Sequence, residues 1–124
     1  MSNISYNKEQ EAFELPYKLW DNTMTVRFYT ESEEDIMANI SDIAVKLETL
    51  GGSRKKIASL IAGEGYYEGS EESLSENLSL DSVYVDMDED DIIVCFTVSS
   101  SDGYMKPQNI ELIDGEFEIV QNLY

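Results

Sequence analysis

Three aspartates at alternate positions, Asp86, Asp88 and Asp90, have the spacing of the first three ligands in a helix-loop-helix calcium site. Such a site needs a glycine at the sixth loop position and a bidentate glutamate at the twelfth. Those positions hold Asp91 and Thr97, and the flanking residues alternate as strands do. We therefore interpret the segment as a solvated hairpin turn, with weak adventitious calcium binding as the alternative, and predict no metal site.

Few residues in the chain could support catalysis. Histidine is absent, which removes the usual general base and the commonest transition-metal ligand. The single cysteine, Cys95, lies in an apolar strand pattern, where an inert, half-buried thiol is expected. Residues 51–56 join two glycines to three bases at a helix start, but they lack the spacing of known phosphate-binding loops. We expect a protein that is not an enzyme and that holds no cofactor.

Two glutamates are predicted to face each other across the last hairpin. The two-residue turn Asp114-Gly115 sets a register that puts Glu111 opposite Glu118, on the face away from the apolar residues. Like charges so placed are destabilising unless a cation lies near, and a Lys or Arg of a partner protein would supply it. The alternative is an ordinary solvated face with an internal base. The predicted partner-binding residues are Asp86, Asp88, Glu89, Asp90, Asp91, Tyr104, Glu111 and Glu118.

Negative charge is concentrated in the second half of the chain. The formal net charge is −18, and sixteen of the 26 acidic residues fall between Glu64 and Glu118. Lys106 is the only base in that stretch, so it carries about −15 of the total. A basic partner protein explains such a surface, and so does solubility alone. Direct binding to nucleic acid or to an anionic membrane is not expected, because both would repel the carboxylates.

Length and composition favour one domain that spans residues 1–124. A chain of 124 residues can bury a core without disulfides, and 42% hydrophobic residues are too many for a disordered acidic tail. The first residues lack the pattern of a secretory signal, and no apolar run approaches the ~20 residues that span a bilayer. We expect a cytoplasmic protein.

Hydrophobic periodicity predicts the strands and helices of the first half. One or two strands are expected over 12–29, with a turn at 21–23 and with Pro16 at an edge or bulge. A capping box of Thr30 and Glu33 predicts the start of a helix that ends near residue 51. Its apolar stripe consists of Ile36, Ile40, Ile43, Leu47 and Leu50. A second helix is predicted after Ser53, and a third around Leu74 and Leu78.

From residue 82 the apolar period changes to two, which is typical of strands. One hairpin is predicted around the acidic turn 88–91 and another around 114–115. The predicted pairs are Val85 with Val94, Val83 with Phe96, Leu112 with Phe117 and Ile110 with Ile119. We predict an α+β fold, in which a mainly antiparallel sheet of about five or six strands packs against about two or three helices.

The second half, over residues 63–124, resembles small acidic bacterial immunity proteins found beside polymorphic or contact-dependent toxins, in families without characterised members. The resemblance lies in the segments GEGYYEGSEESLSENLSL, SVYVDMDEDDIIVCFTV and NIELIDGEFEIV. It implies a stoichiometric inhibitor that covers the active or substrate-binding surface of a cognate toxin, often a basic nuclease. The alternatives are a DNA mimic that regulates a nucleic-acid-binding protein, a small carboxylate-based hydrolase and a calcium-binding module.

Overall fold

Three strands, four helices and four further strands follow one another along the chain. The computed structural model describes residues 4–87, 92–103, 105–113 and 115–120. The elements within these ranges are β1 (Ser5–Asn7), β2 (Ala12–Leu19), β3 (Asn22–Tyr29), α1 (Glu33–Ala38), α2 (Ile40–Gly51), α3 (Arg54–Gly63), α4 (Glu71–Asn77), β4 (Leu78–Met87), β5 (Ile92–Ser100), β6 (Gln108–Ile113) and β7 (Glu116–Val120). The fold is α+β, as predicted.

All seven strands form one sheet, in which spatial order equals sequence order. Neighbouring strands are antiparallel except β3 and β4, which are parallel. Parallel neighbours cannot be joined by a tight turn and need a long crossover connection, which here contains all four helices. The predicted antiparallel character is largely confirmed, but five or six strands were too few and the parallel junction was not predicted.

The helices cover one face of the sheet and contribute to a single core cluster. From the strands the core takes Leu19, Val26, Phe28, Val83, Val85, Val94, Phe96, Val98, Ile110, Leu112 and Phe117. From the helices it takes Ile36, Ile43, Leu47, Leu50, Ile57, Ala58, Ile61 and Leu74. Because side chains alternate along a strand, the residues between these core positions point to the opposite face. In the described part of the chain, no helix covers that opposite face.

Turn geometry fixes the register of the hairpins. The four predicted pairs of the two C-terminal hairpins are confirmed. A third hairpin joins β2 to β3 through Trp20 and Asp21, whose φ values of 49° and 65° fit a type I′ turn. Leu19 pairs with Asn22, so the turn lies earlier than the predicted 21–23. The Trp20 indole N–H donates to the Leu50 carbonyl at 3.0 Å, which ties this unusual conformation to the end of α2.

The long helix predicted from Thr30 is divided in two. α1 begins after Ser32, whose hydroxyl accepts a hydrogen bond from the Asp35 backbone N–H at 3.4 Å. The capping box of Thr30 and Glu33 was therefore wrong, and the Thr30 hydroxyl instead donates to the Asp35 carboxylate at 2.8 Å. A break at Asn39 separates α1 from α2, and the Asn39 amide donates to the Asp35 carbonyl at 2.8 Å.

The third predicted helix ends before Leu78. Ser70 caps α4 by accepting the backbone N–H of Ser73 at 3.1 Å, and the helix stops at Asn77. Leu78 instead opens β4, which therefore starts before the predicted Ser82. None of the helices in the described residues has the length and apolar character needed to cross a membrane.

Candidate functional site

The uncovered side of the sheet carries the charged and aromatic residues that could bind a partner. We call it the open face and define it by Glu14, Arg27, Tyr29, Tyr84, Asp86, Ile93, Cys95, Glu111, Glu116 and Glu118. Paired residues in neighbouring strands lie on the same face, so the register places several of them in one row across β2 to β7. That row runs through Glu14, Arg27, Tyr84, Cys95, Glu111 and Glu118.

At the β2 end of this row the charges are compensated. Arg27 Nε lies 3.0 Å from Glu14 Oε2. The Asn7 amide donates to the same carboxylate oxygen at 3.3 Å. Because the ion pair is partly exposed, its contribution to stability is small. Because the two opposite charges cancel, the electrostatic potential at this end of the row is less negative than at the β7 end.

The centre of the row consists of two protonated groups beside a carboxylate. Partial burial and, to a smaller extent, a hydrogen bond with Cys95 raise the pKa of Tyr84 to about 12. Burial also raises the pKa of the Cys95 thiol to about 11, while its hydrogen bond with Tyr84 acts in the opposite direction. The thiol donates to Glu111 Oε2 at 3.5 Å. At neutral pH the row therefore presents a thiol rather than a nucleophilic thiolate, in keeping with the inert cysteine predicted from sequence.

The β7 end of the row concentrates negative charge. Glu111 is the register partner of Glu118, as predicted, and Glu116 lies one position further along the same face. The ion pairs between described residues join Arg27 to Glu14 and Lys46 to Asp42. Neither Glu111 nor Glu118 thus lies within ion-pair distance of a Lys or Arg in the described part of the chain. The alternative of an internal compensating base finds no support there.

An aromatic pair lies next to this acidic region. The rings of Tyr29 and Tyr84 meet edge to face, with centroids 5.4 Å apart and planes at 79°. Their exposed fractions are 40% and 39%, which is high for large aromatic side chains on regular strands. Asp86 is the register partner of Tyr29 and, on its other side, of Ile93. Charge and exposed aromatic surface therefore adjoin each other, a composition found at strong protein-binding sites.

The structure brings together three of the predicted partner-binding residues, Asp86, Glu111 and Glu118. The others are Asp88, Glu89, Asp90, Asp91 and Tyr104, and all of these lie outside the described residues. The same holds for most of the calcium-like turn. Among the residues that the structure does describe, no group of three or more His, Cys, Asp or Glu side chains could hold a metal ion.

Two tyrosines of the open face were not predicted to belong to the site. Tyr84 alternates with Val83 and Val85, and the hairpin register puts it opposite Cys95, so the sequence did contain that signal. Tyr29 reaches the same place only through the parallel pairing of β3 with β4. All four helices separate those strands in sequence, and no local pattern specifies their register.

The bases at the start of α3 form no ion pair with a carboxylate among the described residues. Arg54 instead donates to the backbone carbonyls of Glu76 at 3.2 Å and Leu78 at 2.7 Å. Its guanidinium also lies 5.8 Å from the centroid of the Trp20 ring. Arg54 thus connects α3 to the end of α4, to the start of β4 and to the Trp20 turn.

Comparisons of this chain with protein-family models, with curated proteins and with solved structures found no match. The resemblance to immunity proteins therefore stays a prediction. Function has to be inferred from the geometry and charge of the open face.

Proposed function

We propose that this chain is a non-enzymatic binding protein whose open face docks a basic protein. The observation that carries the proposal is the pair of opposed carboxylates, Glu111 and Glu118, on the same face as the exposed rings of Tyr29 and Tyr84. Only the strand of Cys95 separates Tyr84 from Glu111. A Lys or Arg inserted near the two carboxylates would remove their repulsion. A second Arg of the partner could stack on the exposed ring of Tyr29 or Tyr84. Both interactions favour a cationic partner over a neutral one.

In this proposal the biological role is that of an immunity-type inhibitor in the cytoplasm. A toxin that acts on nucleic acid needs a basic surface to hold its substrate, and an acidic protein that covers this surface prevents substrate binding. Electrostatic steering raises association rates by ~10 to 10³-fold and weakens as ionic strength rises. Tight, fast and salt-sensitive binding is therefore the expected signature.

The test is affinity capture of the partner by three versions of the protein. One is the native chain, one carries Glu111→Gln and Glu118→Gln, and one carries Glu9→Gln and Glu48→Gln. Both double variants lose the same charge, but Glu9 and Glu48 are exposed residues of the turn between β1 and β2 and of α2, and neither lies on β6 or β7. Each captured protein is identified, and its affinity is measured at low and at high salt.

We expect one basic protein in stoichiometric amount, bound at least about tenfold more weakly by the open-face variant than by the control. If the partner is a toxin, the native chain should also abolish its activity at equal concentration. A nucleic-acid-binding regulator as the partner would favour the DNA-mimic alternative. Equal affinity of the two double variants would refute the open face as the binding surface.

A further inference from the structure

A groove runs along the free edge of the sheet, between α3 and β7. One cavity of about 530 Å³ is lined by Leu60, Glu64, Tyr66, Phe117, Glu118 and Ile119. A second cavity of about 230 Å³ is lined by Lys56, Leu60, Glu116 and Phe117. Leu60 and Phe117 line both cavities, so the two adjoin and are described together as one groove. Leu60, Phe117 and Ile119 give it an apolar strip, and β7 forms its sheet side. Charged side chains line the rest, namely Lys56, Glu64, Glu116 and Glu118.

The outer edge of β7 carries no further strand among the residues that the structure describes. Among the described residues β7 pairs only with β6, and its turn is flanked by the pair Ile113 and Glu116. The pair that flanks a two-residue hairpin turn exchanges both hydrogen bonds, and hydrogen-bonded pairs then alternate along the ladder. The N–H and C=O groups of Phe117 and Ile119 must therefore point away from β6. An unpaired edge of this kind is a template for another strand.

We propose that an extended segment of the partner adds to the sheet as an antiparallel neighbour of β7. Side chains on alternate residues of that segment would enter the groove beside Leu60, and these should be apolar. The residues between them would lie on the open face next to Glu116 and Glu118, and these should be Lys or Arg. This inference rests on the proposed function for the sign of the partner's charge, and it adds the conformation and the residue pattern of the segment that binds.

The charge pattern also argues against a second copy of the chain as the occupant. If two β7 strands paired antiparallel, Glu116 and Glu118 of one copy would face the same residues of the other. Each copy also carries a net charge of −18, which opposes association. Lys56 lies on the helix side of the groove, with its ammonium 5.8 Å from the centroid of the Phe117 ring. It would face the apolar side chains of the added strand rather than its bases.

The experiment uses four capped peptides of about eight residues, the length of an ordinary strand. The first alternates Lys and Val, and the second alternates Glu and Val. The third is a Lys-Val peptide in which the backbone nitrogen of every Val is methylated. In the fourth, the backbone nitrogen of every Lys is methylated instead. In antiparallel addition the Val residues lie opposite Phe117 and Ile119, so their N–H groups donate to β7. Binding is measured by titration, and protection of individual backbone amides is measured by hydrogen exchange.

We expect the Lys-Val peptide to bind and to slow exchange of the Phe117 and Ile119 amides. Methylation of the Val nitrogens should weaken binding at least tenfold, methylation of the Lys nitrogens should have little effect, and the Glu-Val peptide should not bind. Equal binding of both methylated peptides, or unchanged exchange at these two amides, would overturn strand addition. Glu111 lies on β6 and not on the edge strand, so it tests the open face without testing strand addition. If capture of the partner depends on Glu111 but the peptides do not bind, strand addition is wrong and the proposed function stands. If the peptides bind as expected but no basic partner is captured, the proposed function fails alone.

Discussion

Replacing one of the opposed glutamates by lysine should make the protein more stable. In the substitution Glu118→Lys, a like-charge pair with Glu111 becomes an opposite-charge pair on adjacent strands. Glu118 is exposed at the edge strand, so its side chain can change without a loss of core packing. Most substitutions in a folded protein destabilise it, and a gain here would be a specific consequence of the register.

The size of the gain follows from the geometry of the pair. Opposite residues in a hydrogen-bonded antiparallel pair have Cα atoms about 5.5 Å apart. Two unit charges about 6 Å apart in a water-like medium interact by about 0.7 kcal/mol. Cross-strand charge effects of about 0.2–1 kcal/mol agree with this value. Removing the repulsion and adding a similar attraction gives about 1.4 kcal/mol, which corresponds to a rise in Tm of about 5 °C for a chain of this length.

Urea denaturation of the native chain, Glu118→Lys and the control Glu9→Lys tests this reasoning. Both variants reduce the net negative charge equally, but Glu9 lies in an exposed turn and has no strand partner. The difference between them should be largest at low salt and nearly vanish in about 1 M salt, where charges are screened within about 3 Å. If Glu118→Lys stabilises the protein no more than Glu9→Lys at low salt, the two carboxylates do not repel each other as we infer.

Four further predictions concern the polar groups of Cys95, Tyr67 and Trp20. Burial raises the pKa of the Cys95 thiol from 9.0 to about 11. A disulfide reagent at pH 8 should therefore label this thiol at least about 100-fold more slowly in the folded than in the unfolded protein. Equal labelling rates would contradict this prediction. Between these pKa values the unfolded thiol loses its proton while the folded thiol keeps it, so the free energy of unfolding should fall as pH rises, and Cys95→Ala should weaken that dependence. The Tyr67 hydroxyl donates to Asp102 at 2.5 Å. Tyr67→Phe should therefore lower the free energy of unfolding, measured by urea denaturation, by about 1–2 kcal/mol. An unchanged midpoint would show that water replaces the bond. Trp20→Phe removes the indole hydrogen bond to Leu50 and should cost about 1 kcal/mol in urea denaturation. An unchanged midpoint would mean that this bond does not stabilise the fold.

The parts of the fold that sequence predicted well are those whose geometry is set locally. The Asp-Gly signal at 114–115 predicts the register of the last hairpin from a few residues, so the opposition of Glu111 and Glu118 could be read from spacing alone. The apolar stripe of α2 depends in the same way on a short-range period, and Ile43, Leu47 and Leu50 are buried as expected.

The errors arose where several local signals compete or where distant segments meet. Thr30, Ser32 and Asp35 can all form caps or local hydrogen bonds, and the extended backbone at Ser32 decides which residue starts the helix. The short strand β1 has too few residues to show a pattern, and its position depends on β2. The parallel junction of β3 with β4 follows from packing around the helices, so the meeting of Tyr29 with Tyr84 could not be predicted from periodicity.

The placement of charge, rather than its amount, separates a binding surface from a soluble one. Solubility requires only a net charge, and the acids exposed on turns and helices already supply much of it. A glutamate elsewhere on the surface would add the same net charge as Glu118 does. Placing it opposite Glu111 lowers the stability of the fold by about 0.2–1 kcal/mol. A bound cation would recover that cost. Glu118→Lys should accordingly increase stability and weaken partner binding together, whereas a surface that serves solubility alone would show only the increase.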